Sequence, residues 1–168
     1  DLGNIIDRCY RKHGPTVTSE VADRIKNLGY RYSTIGGVTI GFQDITVPEE
    51  KRGYLDAADA ECARIDNLYR MGLLSREDRR NKVIEVWKDT EAKVTDTLMN
   101  KLSPINPIFM MANSGARGST NQIRQLAGMR GLMADPRGQI IEVPIRSNFR
   151  EGLNVLEFFI SSHGARKG

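Results

Sequence analysis

"PEEKRGYLDAADAECARIDNLYRMGLLSREDRRNKVIEVWKDTEAKVTDTLMN", Pro48 to Asn100, decides the fold. Leu55, Ala58, Cys62, Ile65 and Tyr69 recur at spacings of 3 and 4, and Val83, Trp87, Thr90, Val94 and Thr97 do the same. That rhythm places one narrow apolar stripe on each of two helices. Pro48 suits the opening turn of the first, where its missing N–H costs nothing, and Glu49 and Glu50 suit its positive dipole end. Between the stripes, "MGLL" is followed by "SRED", Ser75 to Asp78, a capping box with Asp in place of Glu. Two such helices joined by a short turn make an antiparallel hairpin about 35 Å long. The residues between stripes are charged nearly all round, 10 basic and 12 acidic from Val47 to Asn100. A stripe this thin predicts a protruding antiparallel two-helix coiled coil over residues 47–101. Its apex, Arg70 to Lys82, is expected to face solvent.

Outward from the hairpin the pattern changes. Upstream, Leu2 to His13 reads as a helix stopped by Gly14. A second helix opens at Thr18 or Ser19, carries Val21, Ile25 and Leu28 on one side, and is expected to end at Gly29. "GGVTIGF", Gly36 to Phe42, reads as a short β segment, so residues 1–46 form a small α/β module. Downstream, "LSPINP" breaks the hairpin's second helix. A mixed segment follows, with a turn at Gly115 to Gly118 and a helix from about Ser119. "MADPRG" is a turn by composition, and "QIIEVPI" is strand-like and ended by Pro144. A last helix has Leu153, Leu156, Phe159 and Ile160 as its core face, and "HGARKG" is expected to break it. The fold class is α-rich α+β, with a C-terminal helical segment over residues 102–168 that carries one short β element.

Charge localises the chemistry. The net charge is +4, yet the first 112 residues hold 17 basic and 17 acidic groups. The excess lies wholly in residues 113–168, which points to an anionic partner there. Within it, "NSGARGSTNQIRQLAGMRGLM", Asn113 to Met133, sets three arginines among glycines with no acidic residue. Arg117, framed by Gly115 and Gly118, has little bulk to shield it and can pair bidentately with phosphate oxygens. Arg124 and Arg130 lie on a helix or just past it, and serve either as anion contacts or as supports of the loop.

Other chemistries are disfavoured. His13 and His163 have no Cys or carboxylate at ligand spacing, so no metal site is expected. No histidine stands locally by Ser114 or Ser119, so no nucleophilic catalysis is expected. "GARGST" lacks the Gly-Lys-Ser/Thr of a nucleotide-binding P-loop. "GARG" matches a KH-type GXXG loop but lacks the βααβ setting. No run of 18 apolar residues exists to span a membrane. Cys9 and Cys62 are not at CxxC spacing and are expected to be buried free thiols. The chain starts at Asp1 and stops at "ARKG", and is expected to be a piece of a longer polypeptide.

From Met110 to Gly168, "MMANSGARGSTNQIRQLAGMRGLMADPRGQIIEVPIRSNFREGLNVLEFFISSHGARKG" closely resembles the largest-subunit (β′) family of bacterial DNA-directed RNA polymerase. "NKVIEVW" in the hairpin and "GYRYSTIGGVTIGFQDITVPEEKR" before it extend the resemblance through the whole chain. It implies that residues 1–46 belong to the funnel, 47–101 are the rim helices, and 102–168 run through the funnel and F-loop towards the bridge helix. Residues near 125–139 would then support the bridge helix and the mobile trigger loop. Arg117 would contact the incoming nucleoside triphosphate. The arm apex (Arg70, Met71, Leu73, Leu74, Arg76, Arg79, Arg80, Asn81 and Lys82) would dock Gre-type transcript-cleavage and related coiled-coil factors. Further implied partners are the rest of β′, the β subunit, and DNA and RNA in the whole enzyme, in the bacterial cytoplasm and nucleoid. The "DFDGD" aspartates that bind catalytic Mg2+ in this family are absent from the sequence. The fragment is therefore expected to be inactive alone, with no cofactor and no catalytic residue of its own. One departure is Asn113, where many members carry Asp. Without the resemblance, the same residues fit a free-standing basic nucleic-acid-binding module with a coiled-coil arm, and that reading expects salt-sensitive binding.

Overall fold

The computed structural model describes residues 2–167, with side chains described up to residue 162. The chain divides into two compact units, Asp1–Thr39 and Ile40–Gly168.

The first unit is helical. α1 (Leu2–Gly36) is two helical pieces meeting at Gly14, whose φ of 74° and ψ of −178° interrupt the spiral. Pro15 follows, where a residue without an N–H fits a helix start. The second piece runs through Gly29, which the sequence reading takes as its end. A helical glycine costs only about 1 kcal/mol. The stop falls instead at Gly37, whose φ of 57° lets its N–H bond the Ser33 carbonyl at 3.1 Å. The expected β segment at 36–42 does not form, and among the described residues only two isolated β-bridges occur, both far downstream. A lone extended stretch has no ladder partner to satisfy its backbone. Asp44 instead closes a tight turn by accepting from the Gly41 N–H at 2.7 Å, and Phe42–Asp44 wind into a 3-10 turn.

The second unit is built on the hairpin. α2 (Lys51–Arg70) and α3 (Arg76–Lys101) run antiparallel, with Ala58, Ile65, Val83, Trp87 and Val94 buried between and beside them. The Tyr54 and Thr97 hydroxyls meet at 3.2 Å near the open end. At the turn, Leu73 N–H bonds Leu68 O and Gly72 N–H bonds Tyr69 O, a Schellman closure that Gly72 permits at φ 76°. Ser75 then caps α3 by accepting from the Asp78 N–H at 3.1 Å.

The hairpin does not stand clear of the body, which corrects the expectation of a free arm. The α3 stripe is wider than the sequence reading gives it, with Ile84 and Leu98 buried as well. Met129 joins the hairpin's apolar cluster and Leu132 packs against it. Four of the hairpin charges that resemble a solvated face bind the body instead: Arg79 reaches Glu142, Arg80 the Ile140 carbonyl, Asp59 meets Arg146, and Lys51 meets Glu151. The apex and the outward faces of both helices, with Asp56, Arg64, Lys88 and Lys93 among them, remain exposed.

A second apolar cluster joins the end of α3 to α4 (Pro107–Asn113) and α5 (Thr120–Ala127) through Leu98, Leu102, Ile108, Ile123 and Ala127. The sequence reading leaves α4 as a mixed segment, although Asn106 caps it at the Ile108 and Phe109 N–H groups. Beyond α5, isolated antiparallel bridges pair Gly131 with Ile145 and Ala134 with Ile140, a ladder of two bridges. The strand expected over "QIIEVPI" does not form, since bends at Glu142 and Val143 interrupt it. α6 (Val155–Lys167) is anchored by polar contacts rather than by its apolar face. Leu156 and Phe159, expected in the core, are 67% and 59% exposed, while Glu157 is buried. α6 runs on through His163 and Gly164 to Lys167, so the break expected at "HGARKG" does not occur there. The side chains of residues 163–168, where the resemblance begins the bridge helix, lie outside the described residues. Cys9 and Cys62 are free and half-buried, and burial pushes the Cys62 thiol up.

Candidate functional site

The three arginines of the glycine-rich stretch fare differently. Arg117 sits between Gly115 (φ 75°) and Gly118 (φ 92°), whose left-handed conformations turn the chain between α4 and α5. Its backbone N–H bonds the Met111 carbonyl at 3.2 Å, which fixes the loop against α4. Its side chain is exposed and makes no ion pair or hydrogen bond among the described residues. It lines a groove of about 530 Å³ with Ile108, Met111, Gln122, Leu126 and Phe149. The groove is thus lined mainly by apolar side chains, with the Arg117 cation and the Gln122 and Gln125 amides among them, a combination suited to an amphipathic anion.

Arg124, on α5, turns inward and is 8% exposed. Nη1 donates to the carbonyls of Met129 (3.0 Å) and Arg130 (2.8 Å) and lies 3.0 Å from Glu91 Oε1 on α3. Its Nε is buried without a partner. This guanidinium is consumed in shaping the 128–131 turn. Gly131 makes the arrangement possible: at φ 79°, a Cβ there would overlap the Glu91 carboxylate.

Arg130 is half-buried. It lies 4.7 Å over the Phe149 ring, donates to the Ser161 hydroxyl on α6, and reaches Gln125 Oε1 at 3.4 Å. It has no carboxylate partner among the described residues. Burial, and then the neighbouring Arg124 charge, lower its pKa from the usual arginine value.

Two further residues, absent from the sequence reading, hold these groups in place. Asn148 is fully buried. Its amide donates to the Ala127 and Gly128 carbonyls at 3.0 Å each, and its oxygen accepts from the Glu151 N–H at 2.8 Å. Glu157 accepts from the Arg146, Ser147 and Asn154 N–H groups at 3.1–3.3 Å. Burial is the largest single influence on its carboxyl and raises it, but the bonds from Asn154, Ser147 and Arg146 together bring it below the ordinary value. "SNFREG" carries the only local signal for Asn148, a turn composition. Its role depends on a carbonyl pair about 20 residues away.

At the apex, Arg70, Met71, Leu73, Arg76, Asn81 and Lys82 are exposed, Met71 to 72% and Leu73 to 68%. Leu74 packs inward against the hairpin core. Arg79 donates to Asp66 at 2.6 Å and to Glu142 at 2.7 Å, and the Asp66 bond, ahead of the others, raises its pKa. Arg80 donates to the Ile140 carbonyl at 2.8 Å. The apex candidates therefore divide into an outward apolar-cationic set and an inward pair that grips the body. Among the described residues no three His, Cys, Asp or Glu side chains converge as a metal site, and no helix is long and apolar enough to cross a membrane.

Residues 1–45 match the family described as RNA polymerase Rpb1, domain 3, and residues 74–150 match RNA polymerase Rpb1, domain 4. Among curated proteins, the chain is similar to DNA-directed RNA polymerase subunit beta′ of Caldanaerobacter subterraneus subsp. tengcongensis, 64% identical over 167 residues. The same subunit of Clostridioides difficile is 59% identical, and that of Clostridium perfringens 60%, over 167 residues each. In all three the match covers 99% of this chain and 14% of the relative's length.

Proposed function

We propose a function from one premise: the chain belongs to the β′ subunit family of DNA-directed RNA polymerase. It serves transcription as the part of β′ that borders the path by which nucleoside triphosphates reach the catalytic centre. Arg117 contacts the incoming triphosphate, the 125–139 segment supports the catalytic elements, and the exposed arm apex docks transcript-cleavage factors. The nucleotidyl transfer belongs to the whole enzyme in the bacterial cytoplasm, together with the β subunit, the rest of β′, DNA and RNA. Magnesium supplies charge stabilisation of the phosphoryl transfer there. That ion is assigned to other parts of the enzyme, and no step here is routed through it. The reading of a free-standing nucleic-acid module is set aside, since the similarity runs through the whole chain to a segment of β′.

One observation carries the nucleotide role. Arg117 is the arginine of the glycine-rich stretch that keeps its guanidinium outward, on the margin of a groove, while Arg124 and Arg130 turn theirs to the protein itself. An exposed, unpaired guanidinium in a glycine frame can pair bidentately with phosphate oxygens at little reorganisation cost.

The test is Arg117→Ala in the assembled polymerase, with single-nucleotide addition followed against triphosphate concentration. Loss of one charge-assisted contact weakens apparent nucleotide affinity about tenfold. Arg117→Lys recovers only part of it, because an ammonium cannot bond bidentately. Affinity and rate equal to wild type in Arg117→Ala would falsify the assignment.

A further inference from the structure

α3 grips the 129–142 segment at two places. Near the apex, Arg79 and Arg80 hold Glu142 and the Ile140 carbonyl. Twelve residues on, about 18 Å along a helix, Glu91 pairs with Arg124, which clamps the Met129 and Arg130 carbonyls. Between the grips runs the ladder. Gly131 and Ile145 exchange both backbone bonds at 2.9 Å, and Ile145 is fully buried. The 140–145 side therefore cannot slide without carrying Gly131. Arg130 is the adjacent residue, and its N–H bonds the Ser147 carbonyl at 3.1 Å while its guanidinium holds Ser161 on α6. A continuous set of directional contacts thus runs from the arm apex to α6.

We propose that Glu142 is a positioning residue, through which occupancy of the arm apex is transmitted by the 131–145 ladder to Arg130 and α6. This rests on the factor-docking reading above. The clasp is suited to being opened. The Arg79 side chain is 26% exposed and that of Glu142 32%, so the pair is reached by solvent and by a partner's carboxylates. Arg79 also keeps Asp66, so it has a second partner when Glu142 lets go. The structure holds the closed clasp; the relay adds an open one, in which Arg79 keeps Asp66 alone, because coupling between separated sites requires two arrangements.

The experiment uses the assembled polymerase and a transcript-cleavage factor. Glu142→Gln keeps the shape of the side chain and removes its charge. The factor's apparent Kd is expected to stay within about twofold, while its stimulation of cleavage falls by at least about fivefold. Glu142→Asp, which retains the carboxylate, restores part of the response. Hydrogen exchange at the Gly131 and Ile145 amides, which bond each other across the ladder, changes on factor binding in wild type and not in Glu142→Gln. Full stimulation by Glu142→Gln at unchanged affinity overturns the relay. Affinity and stimulation falling in parallel also overturn it, because Glu142 would then belong to the docking surface itself. If Glu142→Gln fails to assemble, wild type decides: exchange at Gly131 and Ile145 that ignores the factor overturns the relay. Normal factor binding by Met71→Ala and Leu73→Ala together marks failure of the docking reading instead, and the relay falls with it.

Discussion

Glu91 of α3 and Arg124 of α5 lie 3.0 Å apart beneath the 128–131 turn, and the guanidinium that joins them also binds two carbonyls of that turn. One buried cation therefore fixes three pieces of chain at once. Removing its counter-charge leaves it in a site from which water is largely excluded. Glu91→Ala is expected to destabilise the chain by about 3 kcal/mol, the usual cost of breaking a buried pair. Chemical denaturation of the variant against wild type measures it, and a change below about 0.5 kcal/mol would show the pair to be dispensable.

Gly131 and Gly138 separate backbone strain from collision. Both have positive φ, 79° and 87°, but an added Cβ meets nothing at Gly138 and overlaps the Glu91 carboxylate at Gly131. Gly138→Ala should cost about 1–2 kcal/mol, the left-handed penalty alone. Gly131→Ala should cost clearly more, and should also displace Glu91 from Arg124. Paired denaturation curves test the order, and equal losses would contradict the packing described.

Asn148 offers two donors and one acceptor, and all are used at full burial. Asn148→Asp keeps the shape but turns a carboxylate oxygen towards the Ala127 and Gly128 carbonyls. A loss of about 2–4 kcal/mol follows from two broken bonds and acceptors left facing one another. Amide exchange at Phe149 and Arg150, whose N–H groups bond the Gln125 and Leu126 carbonyls, should quicken with it.

The pH dependence has a definite sign. The Glu157 pKa is lowered from 4.5 on folding, so the unfolded chain takes up the proton first as pH falls. Its stabilising contribution is complete above the ordinary value of 4.5 and is lost as pH drops through the lower folded value. Glu157→Gln should therefore flatten the acid limb of stability below about pH 4.5 and lower stability at neutral pH. A wild-type acid limb that survives the substitution unchanged would assign the loss to other carboxylates.

The sequence by itself determined the two hairpin helices and part of the helix punctuation. The 3-and-4 rhythm gave α2 and α3, Ser75 and Ser119 marked two helix starts, and the glycines at 115 and 118 marked the loop that carries Arg117. These are local: a cap, a stripe or a positive φ is decided by residues within one or two turns. The family too was legible, because the stretch from Met110 onward is dense in specific residues. What only the tertiary structure decided is where the charges go. Arg117, Arg124 and Arg130 are all candidate anion contacts in sequence, yet one faces a groove, one is buried on Glu91, and one stacks on Phe149. The hairpin's charged flanks read as solvated, yet Arg79, Arg80 and Lys51 hold partners 60 to 100 residues away. The same distance hides Leu156 and Phe159, which sequence assigns to a core and the fold leaves outward. A charge or an apolar side chain states what it needs. Which neighbour meets the need depends on chain segments brought together by folding, and periodicity carries no record of that.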